Sequence, residues 1–385
     1  MDGFRTRGQP AAVDAARAML RAGVPHAILL VGPGGVGKTT LAMDLAAGLL
    51  CLAPEPDDRP CRECRACRAV EHGNHPDLHG LAPVGPGAVI PIGGRDERGI
   101  RDLIGELALL PVEGGARVAI IEAAHRLTED AQSAFLKTLE EPPAGTTVIL
   151  CADDEERLLP TIRSRCVRLR LGPTGSRAIE QILADHGAAD APTAARLART
   201  AEGRPGIALV FAGSPEAVRI RAEIARTLLD LLREPRSARL SGIRDLAARA
   251  AELVKALERD DPSRAGPGRG GGPARGRSVV EADESDAPSD LPAAAVRVPP
   301  SERRAAAIAL VSIWRSVLRD LTLVGLDDRE AVRDTDLLED LEAVRGMPVE
   351  RVTAHLRRLD VAGERLEGNV SPELVLDVLA LRWSA

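Results

Sequence analysis

Ala27-Ile28-Leu29-Leu30-Val31-Gly32-Pro33-Gly34-Gly35-Val36-Gly37-Lys38-Thr39-Thr40 is the stretch that decides the fold. Its first five residues are a short unbroken apolar run, the pattern of a strand buried on both faces of a parallel sheet. Gly32 to Thr39 follows at once with the spacing G-x-x-x-x-G-K-[ST], and a helical pattern takes over from about Thr39 to Leu50. A chance glycine turn would not come with both flanking elements. Gly32, Gly34, Gly35 and Gly37, with Val36 between them, let backbone N–H groups close on phosphate oxygens, and the helix start adds its positive dipole end. Lys38 is placed to reach the β- and γ-phosphates, Thr39 to hold Mg²⁺, and Thr40 completes the nucleotide-binding set. The cofactor expectation is therefore ATP with Mg²⁺; the loop alone does not say what is done with it.

The alternation continues outward. Residues 11–22 have a helical apolar stripe ahead of the first strand. Val118–Ile121 and Val148–Cys151 are further apolar runs of strand length, and Val167–Leu171 reads as a fourth strand. Between two of them, Glu129 to Glu140 has helical spacing, with Thr128 as N-cap, Phe135 and Leu139 on one face, and Pro142-Pro143 as the stop. Strands alternating with helices predict a parallel α/β sheet over residues 1–172. After Pro173 the strands cease. Residues 173–213 are expected to form a small helical unit, and residues 214–385 a helical domain interrupted at about 260–300, where Gly, Pro, Ser and charge crowd together and a flexible linker is expected. Helix resumes near Ser301, with Ile308, Val311, Trp314 and Leu318 near helical spacing.

Composition narrows the function. The 385 residues are 44% hydrophobic, yet include only three Phe, two Trp and no Tyr, so the cores rest on aliphatic side chains. A net charge of −6 argues against a chain that grips nucleic acid over its whole surface. No apolar segment has the length of a membrane span, and the start is polar rather than signal-like, so a cytoplasmic protein without membrane contact is expected. Four of the six cysteines, Cys51, Cys61, Cys64 and Cys67, lie within seventeen residues. Four thiolates at this spacing suit a closed, structural Zn²⁺ site. Arg62, Arg65 and Arg68 between them form either a basic patch or a solvated face, and His72, His75 and His79 are reserve ligands.

Taken together, these features resemble one family. The phosphate loop, the cysteine knuckle just after its helix, Ala134-Phe135-Leu136-Lys137-Thr138-Leu139-Glu140-Glu141-Pro142-Pro143 and Thr161-Ile162-Arg163-Ser164-Arg165-Cys166 are similar to the clamp-loader branch of the AAA+ ATPases, the gamma/tau and delta-prime subunits of bacterial DNA polymerase III. Gly8-Gln9 and Pro25-His26-Ala27 also fit. The resemblance is strong over about residues 5–210 and loose beyond, where it rests on the helix holding Trp314 and Arg319-Asp320. It implies an AAA+ P-loop domain (1–172), a helical lid (173–213) and an all-α collar (214–385). It also implies a hetero-pentameric ring with gamma/tau and delta subunits that places a sliding clamp on primed DNA.

Departures from the family pattern separate motor from stator. Motors carry an Asp-Glu pair after the strand that here ends in Ile121. This chain has Glu122-Ala123. Glu122 keeps a carboxylate for the metal, but the methyl of Ala123 cannot polarise water. His125 is the nearest replacement, and on a continuing strand it would lie about 6–7 Å further along. The polar γ-phosphate sensor expected after the 148–150 strand falls near Cys151-Ala152. The lid arginine of motors falls at Gly206, with Arg204 two residues away. Arg165, in Ser164-Arg165-Cys166, is intact; in the family it reaches into the neighbour's nucleotide site as a catalytic finger in trans. The expectation is a delta-prime-type stator with weak or absent ATPase of its own, part of a polymerase only by complex membership. A gamma/tau-type motor is the alternative. A zinc module that binds DNA lacks the aromatic platforms for single strands, and a small-molecule kinase leaves the Ser-Arg-Cys and Glu-Glu-Pro-Pro segments unaccounted for.

Overall fold

The computed structural model describes residues 3–83, 89–94, 97–113, 115–259, 299–344, 346–368 and 370–383. Its centre is strand β1 (Ala27–Val31), every residue of which is buried. After helix α1 (Pro10–Ala22) and β1 come α2 (Lys38–Leu50), α3 (Arg65–Glu71), β2 (Leu78–Leu81), α4 (Ile100–Leu107), β3 (Arg117–Ile121), α5 (Glu129–Glu140), β4 (Thr146–Ala152), α6 (Pro160–Arg163) and β5 (Val167–Arg170). The five strands form one parallel sheet in the order β2-β3-β4-β1-β5. The α/β P-loop architecture expected from the alternating pattern is the one observed.

The two-residue period of the strands sorts the core into two layers. Ile28, Leu30, Val118, Ile120 and Ile149 pack with α1 and α2 on one face. Ala27, Leu29, Val31, Ala119, Ile121, Val148 and Leu150 pack on the other, with α4 and α5. Phe135 and Leu139 are both fully buried there, and Thr128 caps α5 by accepting from the Ala131 N–H at 3.2 Å. β1 sits between β4 and β5, so the crevice at the carboxyl ends of β1 and β4 lies where the chain switches from one side of the sheet to the other.

From Pro173 onward the described chain is helical: α7 (Ser176–Asp185), α8 (Ala191–Thr200), α9 (Pro205–Gly213), α10 (Pro215–Leu231), α11 (Arg236–Arg259), α12 (Pro300–Gly325), α13 (Leu338–Ala343), α14 (Val349–Glu367) and α15 (Pro372–Arg382). One apolar cluster runs through them from Ile179 to Trp383. On α12 the buried stripe is Ala307, Leu310, Trp314, Val317 and Leu321, flanked by Val311 and Leu318. Ile308 is not part of it and is 38% exposed, because one residue turns the helix by about 100°, enough to carry it off the face. A buried polar joint ties α10 to α12: Arg221 donates to Asp334 at 2.5 Å, and the Asp334 N–H donates to Asp320 at 2.9 Å. Most of the expected 260–300 linker lies outside the described residues; Pro300 already begins α12.

Candidate functional site

The phosphate loop joins β1 to α2. Val36 is fully buried and pins the loop to the core beneath. Gly37 caps α2 at φ 104°, in the left-handed region where a side chain would be strained. Lys38 opens the helix and is nearly enclosed. Its ammonium donates to Gly32 O at 2.6 Å and Pro33 O at 2.8 Å, and lies 2.8 Å from Asp153 Oδ1. Thr39 is half-buried and Thr40 exposed on the first turn of the same helix.

The facing wall departs from the sequence expectation in one respect. β3 ends at Ile121, and the Glu122 N–H donates to Leu81 O at 2.8 Å. The chain does not continue as a strand. Ala123 takes a left-handed conformation (φ 49°) and Ala124–Arg126 form a 3₁₀ turn. The estimate of His125 one strand step beyond Ala123 is thereby corrected: the turn folds it back beneath the end of β4. Its Nδ1 accepts the Asp153 N–H at 3.1 Å, so His125 anchors a backbone rather than facing open solvent as a base.

Burial holds the His125 imidazole below its ordinary value of 6.5, against the pull of the Asp153 charge. Burial does the same to His75, whose Nδ1 accepts the Asp77 N–H at 3.1 Å. Both rings fold as neutral acceptors. The unfolded chain therefore takes up these protons first as pH falls. The stability they contribute is complete above 6.5 and declines as pH drops below it toward the folded values. Thermal unfolding at pH 5.5 should come at lower temperature than at pH 7.5. His125→Gln, which keeps an acceptor but cannot titrate, should reduce the difference; an unchanged difference would show that His125 has no part in it.

The helical region closes over the loop. The Gly206 N–H, at the start of α9, donates to Gly35 O at 2.9 Å, and a Cβ at residue 206 would lie 3.2 Å from that oxygen. Arg204 begins at this contact, its Cβ 3.5 Å from where a Cβ on Gly35 would lie, and its Nε donates to Ala201 O at 3.2 Å. Gln9 braces the junction between sheet and helices, donating to Gly172 O at 2.6 Å and accepting the Gly172 N–H at 3.2 Å.

The sulfurs of Cys51, Cys61, Cys64 and Cys67 all lie within 4.8 Å of one another. A tetrahedral metal with sulfur bonds of about 2.3 Å sets sulfurs about 3.8 Å apart, so the set is of the right size. Backbone N–H groups already serve them: Ala53 and Cys61 donate to Cys51, Cys64 to Cys61 and Cys67 to Cys64, at 3.3–3.4 Å. Such donors favour thiolates. At Cys64, burial opposes ionisation, yet the N–H groups of Leu52 and Cys67 prevail and bring the thiol to about 6. Burial pushes the Cys51 and Cys67 thiols up instead, so it would take a bound cation to hold all four as thiolates. The cluster is a candidate zinc site, and His72, His75 and His79 are not in it. Arg62 forms no basic patch: it donates to Gly3 O at 2.6 Å and pairs with Asp44 of α2. Asp44, almost wholly buried, also accepts from the Arg5 and Thr6 N–H groups at 2.9–3.1 Å and from Thr6 Oγ1 at 2.7 Å, binding the N-terminal segment and the knuckle to the phosphate-loop helix.

Arg165 lies between α6 and β5, half-buried and away from the chain's own loop. Its guanidinium donates to Thr161 O at 2.8 Å and pairs with Glu140, at the end of α5. The Leu-Glu-Glu-Pro-Pro segment and the Ser-Arg-Cys segment, far apart in sequence, thus meet at one surface.

Residues 8–175 match the sequence profile of the family described as DNA polymerase III, delta subunit. This stretch is similar to the members of that family. Among its relatives, the DNA polymerase III subunit delta' of Pseudomonas aeruginosa is 39% identical over 148 residues, 38% of this chain and 43% of that protein. Subunit delta' of Bacillus subtilis is 32% identical over 201 residues, 52% of this chain and 58% of that protein. Subunit tau of Escherichia coli is 35% identical over 185 residues, 47% of this chain and 27% of that protein. The matches thus span about a quarter to three-fifths of these relatives' lengths. The family stretch includes the loop, the four cysteines, Glu122 and Arg165. The structure brings Lys38 to the end of β4, gathers the four cysteines, and sets Arg165 apart from both. Asp153 and Asp44 escaped the sequence reading. Asp153 immediately follows an apolar strand, which was its one signal; Asp44 had none, being a lone acid inside a helix.

Proposed function

We propose that the chain is the delta-prime stator of a bacterial clamp loader. In this role it assembles with gamma/tau and delta subunits in a five-membered ring and helps place the sliding clamp on primed DNA in the cytoplasm. One observation carries the stator reading: the left-handed turn at Ala123 stands where a motor needs a carboxylate, beside a complete phosphate loop. Position 123 itself offers no group to orient the attacking water, since a methyl group neither accepts nor donates a proton, and the Nδ1 of His125 is committed to the Asp153 N–H. Lys38, the loop glycines, Val36, Thr39, Thr40 and Glu122 would hold Mg²⁺ and ATP as a structural ligand. Cys51, Cys61, Cys64 and Cys67 would hold a structural Zn²⁺. Arg165, at a surface apart from the chain's own loop, would complete the neighbouring motor's site. The chain's place in DNA polymerase III would then be one of membership, with the polymerase chemistry in other subunits. Among the described residues no helix is long and apolar enough to cross a membrane.

The rival motor reading has the complete loop in its favour and Ala123 and Gly206 against it. Reconstitution tests the assignment. Mixed with gamma/tau- and delta-type subunits, the chain should enter a defined complex, and clamp loading on primed DNA should depend on it. Failure to enter the complex, or equal loading without it, would overturn the proposal.

A further inference from the structure

Lys38 is held on three sides. Gly32 O and Pro33 O accept from its ammonium, at 2.6 and 2.8 Å, and Asp153 Oδ1 forms an ion pair with it at 2.8 Å. Of these partners only Asp153 is an anion. Its position is held from behind, because its own N–H is bonded to His125. Its carboxylate also comes close to the loop: a Cβ built on Gly34 would lie 3.1 Å from Asp153 Oδ2. A carboxylate thus sits directly against the lysine that a phosphate-binding loop uses for the terminal phosphate.

Resting on the reading that this loop binds nucleotide, we propose that Asp153 is a specificity residue that makes the site prefer a nucleoside diphosphate to a triphosphate. The backbone N–H groups of the loop and the start of α2 can hold two phosphates while the Lys38–Asp153 pair persists. A third phosphate has to displace the carboxylate from Lys38 or lie beside it, adding negative charge where Asp153 already stands. Asp153 is partly exposed, so water moderates the repulsion and the preference should be about tenfold rather than absolute.

The test is calorimetric titration of the full chain with MgADP and MgATP, for the native protein, Asp153→Asn and Asp153→Ser. Two substitutions of an exposed side chain guard against one that misfolds, and thermal melts check each. The native chain should bind MgADP about tenfold more tightly than MgATP, and both variants should gain affinity for MgATP until the ratio approaches one. An unchanged ratio in the variants, or a native preference for MgATP, would overturn the role of Asp153 and leave the nucleotide site standing. No binding by any of the three proteins, or binding that survives Lys38→Ala, would overturn the nucleotide-site reading and this proposal together.

Discussion

Clamp-loader complexes assembled with Arg165→Ala should lose ATP hydrolysis at the site facing this chain by roughly 10³-fold or more, the usual effect of removing an arginine finger. The expectation follows from placement. Arg165 is not directed at the chain's own phosphate loop; it sits beyond α6, where its partners are a backbone carbonyl and Glu140. A surface ion pair of this kind contributes little to stability, so its loss should leave folding almost untouched. A guanidinium delivered to a neighbour's transferring phosphoryl group contributes far more, because it meets charge that develops in the transition state. Arg165→Lys should rescue poorly, since an ammonium lacks the planar fork. Single-turnover hydrolysis by the reconstituted complex, with the chain's own nucleotide affinity measured in parallel, separates this from a structural role. A finger variant keeps that affinity and its place in the complex while turnover falls.

The second large effect concerns the cysteine cluster. Metal analysis of the purified chain should find about one zinc per molecule, and Cys64→Ser or Cys67→Ser should abolish it. The consequence should extend beyond the knuckle, because Arg62 lies between two ligands and its guanidinium is the charged partner of the buried Asp44. If the knuckle loosens, Asp44 remains buried without its counter-charge, and leaving a buried ion unpaired costs about 3–5 kcal/mol. Cys67 and Val70 would also leave the apolar layer they share with α2. Chelation should therefore lower the unfolding midpoint of the sheet domain itself. An apo-protein that unfolds at the same temperature as the metal-loaded one would contradict the structural role.

Much of this was legible in the residues, and the gaps have physical causes. β1, β3 and β4 are buried on both faces, so their apolar runs are unbroken and stood out. β2 was not recognised: it is an edge strand whose middle residues are His79 and Gly80, and neither alternation nor a run survives in four positions. The phosphate loop and the cysteines are local patterns, fixed by spacing, and were visible at once. Asp153 and Asp44 matter through partners 115 and up to 39 residues away in sequence, contacts that no local pattern encodes. The position of His125 depended on whether the chain turned after Ile121. Its turning follows from a left-handed alanine, a conformation alanine rarely adopts and composition does not announce.

The most direct test of the stator account is ATP hydrolysis by the purified chain alone, in excess Mg²⁺, beside a measurement of nucleotide binding. The account predicts detectable binding and no turnover above background, because Ala123 stands in place of the carboxylate that would orient water. Turnover on the order of 1 s⁻¹, the lower end of ordinary enzymes, would contradict it and identify the chain as a motor.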